Sequence, residues 1–362
     1  MPSLDLSISD TDLERLVRRL REAILPEQSP GQDWSRGIPF AVLERLRRRW
    51  ADGFDWRAHE DALRRESHGF FASEIGGLHF VQRGGEQGAL PVLVIHGWPY
   101  TYAQMLPLAD AVGSAHAVVA PSLPGFGHSP PAIEPYSARR IAIALHTLMT
   151  HHLEHPRYLV YGEDMGGPVA DWIAALYPDV VAGIIASHPS FSAQARPGTS
   201  LTREERAFLQ GTRDAGESGY AHLQATRPDT VAAALLDSPV GLLAWIAEKV
   251  AAWSDGGHAT GFGGLSDDAV LGLVSLYWQT RSIGTSFRSY SEPVDFDEHP
   301  RITVPAAVVI NTHEHGYPRS LAEKTYTDLR EFRRLDRGGH FTAWENPVEI
   351  ARAIRRHAER VR

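Results

Sequence analysis

Tyr161-Gly162-Glu163-Asp164-Met165-Gly166-Gly167 is the stretch on which the reading of the chain turns. It follows an apolar run of strand length, Tyr158–Tyr161, and opens a helical pattern over Gly167–Tyr177. Glycines on both sides of one polar position permit a tight strand-to-helix turn and close backbone approach. Such an elbow lifts its central side chain above the carboxyl end of the strand, at the positive end of the next helix. The central residue here is Asp164. A serine at this place would need a base to deprotonate it and would perform acyl transfer. A carboxylate is already an anion at neutral pH and attacks sp³ carbon, forming an alkyl-enzyme ester. Epoxides and alkyl halides suit that attack. An aspartate that merely caps a helix would leave the same local pattern, so the surrounding sequence has to decide.

Outward from the elbow, strands and helices alternate. Pro91–Ile95 is apolar without alternation, as a buried strand requires, and His116–Ala120 and Val181–Ala186 read as further strands. Ser137–His151 reads as a helix with Ile141, Leu145 and Leu148 on one face. Phe70–Ile75 and Leu78–Arg83 flank Gly76-Gly77 and predict a β-hairpin. Between about 190 and 295 helical patterns take over, broken by the Gly- and Ser-rich loop Gly256 to Ser266. The strand pattern resumes at Ile302–Ile310, followed by a helix near 319–329, a strand at Phe332–Leu335 and a last helix over 347–360. Strands alternating with helices imply a mostly parallel central sheet, here interrupted by a helical cap. Ahead of it lie three helical segments: 10–24 with Leu13, Leu16, Val17, Leu20 and Ile24, ended by Pro26; a second from Pro39 with Val42, Leu43, Leu46 and Trp50; and a third around 56–65. The expected division is an N-terminal helical extension packing on core and cap (1–68), the first part of an α/β core (69–189), a helical cap (190–296) and the second part of the core (297–362).

Composition narrows the function classes. The 362 residues are 43% apolar and 22% charged, ordinary for a globular enzyme. A mild net charge of −8 spread along the chain lacks the basic stripe of a nucleic-acid binder. With no cysteine, disulfides, thiolate catalysis and zinc-thiolate sites are excluded. Asp5, Asp10, Asp12 and Glu14 interrupt the start where a signal peptide needs an apolar core, and no run approaches the roughly 20 apolar residues that span a bilayer. The expectation is a soluble, cytoplasmic protein without membrane or nucleic-acid partners.

Three further motifs complete the chemistry. His96-Gly97-Trp98-Pro99 directly follows the strand 91–95, where this kind of fold places a second oxyanion-hole N–H. The backbone N–H groups of Trp98 and Met165 are the candidates, and His96 reads as a structural hydrogen-bonder at the loop base. Arg337-Gly338-Gly339-His340-Phe341 lies between the last strand and the last helix, where a late histidine can activate the hydrolytic water, which makes His340 the candidate base. The acid that orients it should follow the next-to-last strand, and Glu314 is the carboxylate of the loop Asn311-Thr312-His313-Glu314-His315. His313-Glu314-His315 could also be read as a metal cluster, but no further ligand loop accompanies it, so neither a metal nor a cofactor is expected. His151, His152 and His155 read as a solvent-exposed helix end.

Together these motifs resemble the microsomal-type epoxide hydrolases, α/β-hydrolases with a distinctive N-terminal extension. The resemblance covers nearly the whole chain. It rests on Trp50-Ala-Asp-Gly-Phe-Asp-Trp56, the His96-Gly-Trp-Pro99 loop, Pro121-Ser-Leu-Pro-Gly-Phe-Gly127, the Asp164 elbow and Arg337-Gly-Gly-His-Phe341. It implies the α/β-hydrolase fold and conversion of a small epoxide and water to a vicinal diol. It also implies two cap tyrosines that hydrogen-bond the epoxide oxygen: Tyr220, in Glu217-Ser-Gly-Tyr-Ala-His-Leu-Gln224, and Tyr290, in Ser286-Phe-Arg-Ser-Tyr-Ser-Glu292. Trp98, Pro99, Tyr277 and Trp278 are the substrate-pocket residues it implies. A homodimer is compatible with it. Tyr100-Thr101 stand where the family often has Gly-Ser, which suggests a reshaped site entrance. Thr312-His313-Glu314 stands where it commonly has Phe-Pro-x-Glu. The membrane anchor of the vertebrate relatives is not found, which points to a soluble, bacterial-type member.

Two alternatives stand beside this reading. A dehalogenase shares the aspartate, histidine and fold, but would need a halide-binding indole or amide beside the nucleophile; Met165 opposes it and Trp98 favours it. A catalytically silent α/β-hydrolase acting as a binding protein usually lacks a triad member, whereas all three positions are filled here.

Overall fold

The computed structural model of the protein describes residues 6–27, 33–189, 199–214, 219–295 and 298–361. Eight strands form one sheet in the order β1-β2-β4-β3-β5-β6-β7-β8: β1 Ser67–Ser73, β2 Gly76–Arg83, β3 Val92–Ile95, β4 Val118–Pro121, β5 Tyr158–Gly162, β6 Val181–Ala186, β7 Ile302–Ile310 and β8 Tyr326–Arg334. β1 and β2 pair antiparallel, and β2 joins β4 antiparallel; every other pairing is parallel. In β3, β4, β5 and β6 every residue is buried. Helices on both faces leave no solvated side, which explains their unbroken apolar sequences.

Three helices precede the sheet, α1 Asp10–Arg21, α2 Phe40–Asp52 and α3 Trp56–Arg64. Within the core lie α4 Tyr102–Val112, α5 Ala138–Thr147 and α6 Gly166–Leu176. After β6 the described cap elements are α7 Arg203–Asp214, α8 Gly219–Thr226, α9 Pro228–Asp237, α10 Pro239–Trp253, α11 Asp267–Thr280, α12 Ile283–Ser286 and α13 Arg288–Ser291. The core resumes with β7, α14 Arg319–Thr325, β8, α15 Thr342–Glu345 and α16 Pro347–Arg360. Parts of the expected cap, 190–198, 215–218 and 296–297, lie outside the described residues.

The N-terminal helices sit chiefly on the cap. Arg45 pairs with Asp267 at 2.9 Å, Arg49 with Asp268 at 2.7 Å, and the buried Trp50 indole donates to Ser275 Oγ at 3.0 Å. No single helix among the described residues is long and apolar enough to cross a membrane. α9 and α10 would qualify only as a pair, and they bend by 116° at their junction.

Two local expectations change. The hairpin turns at Glu74-Ile75, and Gly76 already pairs with Ser73. Gly77 is glycine because the Phe70 ring lies where its Cβ would be, 2.1 Å from Phe70 Cζ. The helix expected near 319–329 stops at Thr325, and β8 starts at Tyr326. β8 is the sheet's outer strand and carries Asp328, Arg330, Glu331 and Arg333, so charges that protect an edge blurred its alternation into a helix-like pattern.

The order of the parallel strands gathers the predicted motifs. β3 and β5 are neighbours with Ile95 opposite Gly162, so the loop after β3 lies beside the elbow after β5. β7 and β8 end together, Ile310 opposite Arg334. The loops that follow are stitched by Thr312 N–H donating to Gly338 O at 2.9 Å. All these loops leave the carboxyl ends of parallel strands, the edge where open α/β sheets bind ligands.

Candidate active site

Asp164 sits on the elbow with φ +48°, a left-handed conformation that costs an L-residue energy and is kept where the surroundings demand it. Here the surroundings are three glycines. A Cβ on Gly162 would stand 2.3 Å from Gly166 O, one on Gly166 2.4 Å from Ile95 O, and one on Gly97 2.2 Å from Asp164 Oδ1. Side chains at these positions would push the elbow off β3. The close fit brings the Trp98 N–H to 2.7 Å from Asp164 Oδ1. Met165, the other expected donor, follows Asp164 at the N-cap of α6.

His340 Nε2 lies 3.5 Å from Asp164 Oδ2. Its backbone N–H donates to Trp253 O at 2.8 Å, which ties the loop to the end of α10. Gly339 permits that contact, since a Cβ there would meet Asp255 N, Ser254 C and Trp253 O, each at 2.5 Å. Glu345 reinforces the joint, accepting from Asp255 N–H at 2.7 Å and Phe341 N–H at 3.2 Å. Burial opposes charge on His340, but the adjacent Asp164 carboxylate, with the charges of Glu314 and Glu163, outweighs it and raises its pKa. Glu314 follows β7, its N–H donating to Asn311 Oδ1 at 2.9 Å. The adjacent histidines differ. His188, 4.4 Å from the His340 ring, is held well below the ordinary range by burial and then by His340, and His313 falls to about 4 for the same reasons. Among the three, His340 alone is kept basic.

Above Asp164 the lining is aromatic. Tyr220 on α8 stacks on Trp98 at 5.2 Å and 8°, and Tyr290 on α13 meets Trp98 edge-on at 5.7 Å. The two tyrosine rings are 5.8 Å apart. Lys249 Nζ lies 5.1 Å over the Tyr220 ring. Burial, then the Tyr220 and Asp164 charges, pushes the Tyr290 phenol well up, so it stays protonated. Tyr277 is fully buried and its phenol also feels Asp164 after the larger effect of burial.

Not every predicted residue joins this group. Trp278 lines, together with Tyr277, a cavity of about 370 Å³ against Asp12, Arg15 and Leu16 of α1. Of the two, it is the Tyr277 phenol that feels the Asp164 charge. Pro99 is buried in the loop beside Trp98. Tyr100-Thr101 do not shape an entrance. Tyr100 is fully buried beneath the site, its hydroxyl donating to Glu163 Oε2 at 3.1 Å, and Thr101 caps α4 in a capping box with Gln104. His96 serves the loop base, as expected: Nδ1 bonds Gly97 O at 2.9 Å and Nε2 accepts the Leu123 N–H at 3.0 Å, with burial lowering its pKa to about 4. His151 and His152 are exposed, whereas His155 is half-buried. No group of three His, Cys, Asp or Glu side chains among the described residues is arranged to hold a metal ion.

Sequence reasoning passed over His188, Trp253 and Glu163. The last carried a signal: a glutamate beside the elbow aspartate, in a turn too tight to expose both.

With this geometry in view, comparison with known proteins is direct. Residues 1–105 match the family described as "Epoxide hydrolase N terminus", and residues 91–224 match "alpha/beta hydrolase fold". A putative epoxide hydrolase of Stigmatella aurantiaca is 36% identical over 97% of this chain and 83% of its own. The crystal structure of juvenile hormone epoxide hydrolase from Bombyx mori superposes with a TM-score of 0.84 at 26% identity, covering 98% of this chain and 92% of that one. The Aspergillus niger epoxide hydrolase structure gives 0.83 at 26% identity, covering 98% and 95%.

Proposed function

The chain belongs to the epoxide hydrolases, enzymes that convert an epoxide and water to a diol, and from that premise we propose a two-step reaction on Asp164. The observation that carries it is the division of the carboxylate: Oδ1 is held by the Trp98 N–H at 2.7 Å, and Oδ2 faces His340 Nε2 at 3.5 Å.

Oδ2 attacks one epoxide carbon. The new C–O bond forms as the ring C–O bond breaks, and the leaving oxygen takes a proton from Tyr220 or Tyr290. A phenol suits this step, being neutral at pH 7 and a good donor to a developing alkoxide. The product is an Asp164 ester whose carbonyl oxygen, Oδ1, already lies on the Trp98 N–H. His340 then removes a proton from water, and the hydroxide adds to the ester carbonyl. Trp98 N–H and Met165 N–H hold the resulting oxyanion, and Glu314 stabilises the imidazolium. Collapse breaks the Cγ–Oδ2 bond, and the departing alkoxide takes the second proton of the added water, which releases the diol and restores the Asp164 carboxylate. The proton gained by His340 equals the one given up by tyrosine, so exchange through solvent restores the enzyme.

The test is a single turnover in ¹⁸O-water. The first diol is expected to carry unlabelled oxygen from Asp164, with label entering the carboxylate and then later products. Solvent label in the first diol would mean direct attack by water and would overturn the ester mechanism.

A further inference from the structure

Glu163 is fully buried next to the nucleophile and has no place in the reaction as written above. Three donors from three different elements converge on its carboxylate. The Tyr161 hydroxyl of β5 donates to Oε1, as does the Ala343 N–H of α15 at 2.7 Å, and the Tyr100 hydroxyl, from the loop after β3, reaches Oε2 at 3.1 Å. Tyr161 is held in turn near Ser187 Oγ at 2.9 Å, at the end of β6. The Tyr100 ring then meets His340 edge-on at 6.2 Å and Phe341 at 5.2 Å. One carboxylate thus fastens the elbow, the loop bearing Trp98 and the segment bearing His340. Tyr100, Tyr161, Asp164 and His340 are the titratable groups that bear on it from these elements.

We propose that Glu163 is a positioning residue for the hydrolytic half-reaction: as an anion it locks the oxyanion loop and the His340 loop onto the elbow, and it supplies a negative charge facing His340 after Asp164 has lost its own by becoming an ester. This rests on the Asp164 and His340 roles proposed above. In the free enzyme Asp164 supports the basicity of His340 most strongly, and Glu314 and Glu163 follow. Once the ester forms, the first of these is gone. The remaining carboxylates must then keep the imidazole basic enough to take a proton from water.

The arrangement is poised rather than permanently charged. Burial pushes the Glu163 carboxyl up to about 7, against the pull of Tyr161, the Ala343 N–H, His340 and Tyr100. The sign follows: as pH falls through 7 Glu163 takes up a proton, and the hydrolytic step loses that anion while His340 is itself being protonated.

The test measures ester hydrolysis by rapid quench and intact-protein mass spectrometry across pH 5 to 9, on the full-length enzyme and two near-isosteric variants. Glu163→Gln is expected to hydrolyse the ester about fivefold more slowly on the alkaline plateau. Its acid limb should lose one proton of steepness and move to lower pH, with alkylation changed less than twofold. Tyr100→Phe removes a donor from the anion, so its acid limb should move the opposite way, to higher pH. A purely structural role predicts no such opposed shifts. Hydrolysis profiles in both variants that superpose on the wild type, or that move in the same direction, overturn the proposal. Failure of the wild type itself to form an ester would instead sink the underlying mechanism, so the two failures are distinguishable. Near-ultraviolet circular dichroism of each variant confirms the fold.

Discussion

The two sides of Asp164 are built from different materials. Toward the cap it meets Trp98, Tyr220, Tyr277 and Tyr290, large rings among which the Tyr277 and Tyr290 phenols stay protonated. Toward the core it meets His340, kept basic, with Glu314, the neutral His188 and Glu163, raised to about 7, around it. The contrast teaches how one carboxylate can serve two reactions. In the mechanism proposed above, alkylation requires a dry pocket and a neutral donor for the epoxide oxygen, which the aromatic side would provide. Hydrolysis requires a base and a stabilised imidazolium, which the core side would provide. Variants on the two sides should therefore separate the half-reactions.

The largest separation is expected from His340→Gln. The epoxide should still alkylate Asp164 at a rate near wild type, because the cap is untouched. Turnover should then stop at the ester, with steady-state kcat down about 10³-fold or more. Intact-protein mass spectrometry during turnover should show the enzyme shifted by the mass of the epoxide. If no adduct appears while the epoxide remains intact, His340 is needed for alkylation as well, and the division between core and cap fails.

The opposite variant is Tyr290→Phe, with Tyr220→Phe beside it. Each should slow alkylation about 10²-fold, since the leaving oxygen loses one of two hydrogen bonds, and the double variant should lose far more than either. Ester hydrolysis should be unchanged, so the adduct stays scarce and the loss appears in single-turnover alkylation. An adduct that accumulates in Tyr290→Phe would place this phenol in the hydrolytic step.

The same division tracks what could be read without a structure. The core was legible because its chemistry is written in local patterns: glycines framing Asp164, a loop directly after β3, and Gly338-Gly339 ahead of His340. Gly162, Gly166 and Gly339 mark close backbone approaches, Gly97 leaves room for the Asp164 side chain, and Gly338 takes φ +96°. The cap is a run of helices with no such punctuation, so Tyr220 and Tyr290 emerged only by resemblance. Pattern logic also fails where a side chain turns inward. Tyr277 and Trp278 both line a cavity against α1, and Tyr100 turns down to Glu163 instead of out to the entrance. The partner of a buried polar side chain lies on another element and leaves no trace in its own neighbourhood, which is why the Glu163 cluster escaped notice.

The smallest expected effect is on stability, and it too has two sides. Buried neutral histidines of the core, His79, His96 and His188, have pKa values below the ordinary 6.5, with His96 at about 4. Unfolded, they would take up protons from pH 6.5 downward; folded, they do not. Stability is therefore lost as pH falls from 6.5 toward 4, by up to about 3 kcal/mol for a shift the size of that at His96. Glu163 and Glu345 oppose this, since burial raises both to about 7 and so weakens the fold as pH rises from 4.5 to 7. Burial lowers His128, His313 and His357 to about 4 as well, so the histidines outnumber the two carboxylates and leave a net acid weakening. On the cap side, the raised phenols of Tyr277 and Tyr290 stay protonated in the folded state while their unfolded counterparts ionise above about pH 10. There the fold weakens with rising pH. Urea-unfolding midpoints should thus be highest near neutrality and fall both by pH 4.5 and by pH 10.5. A midpoint that holds level between pH 7 and 4.5 would mean that the core histidines reach solvent and titrate freely, and that the ionisable side of Asp164 is wetter than its geometry allows.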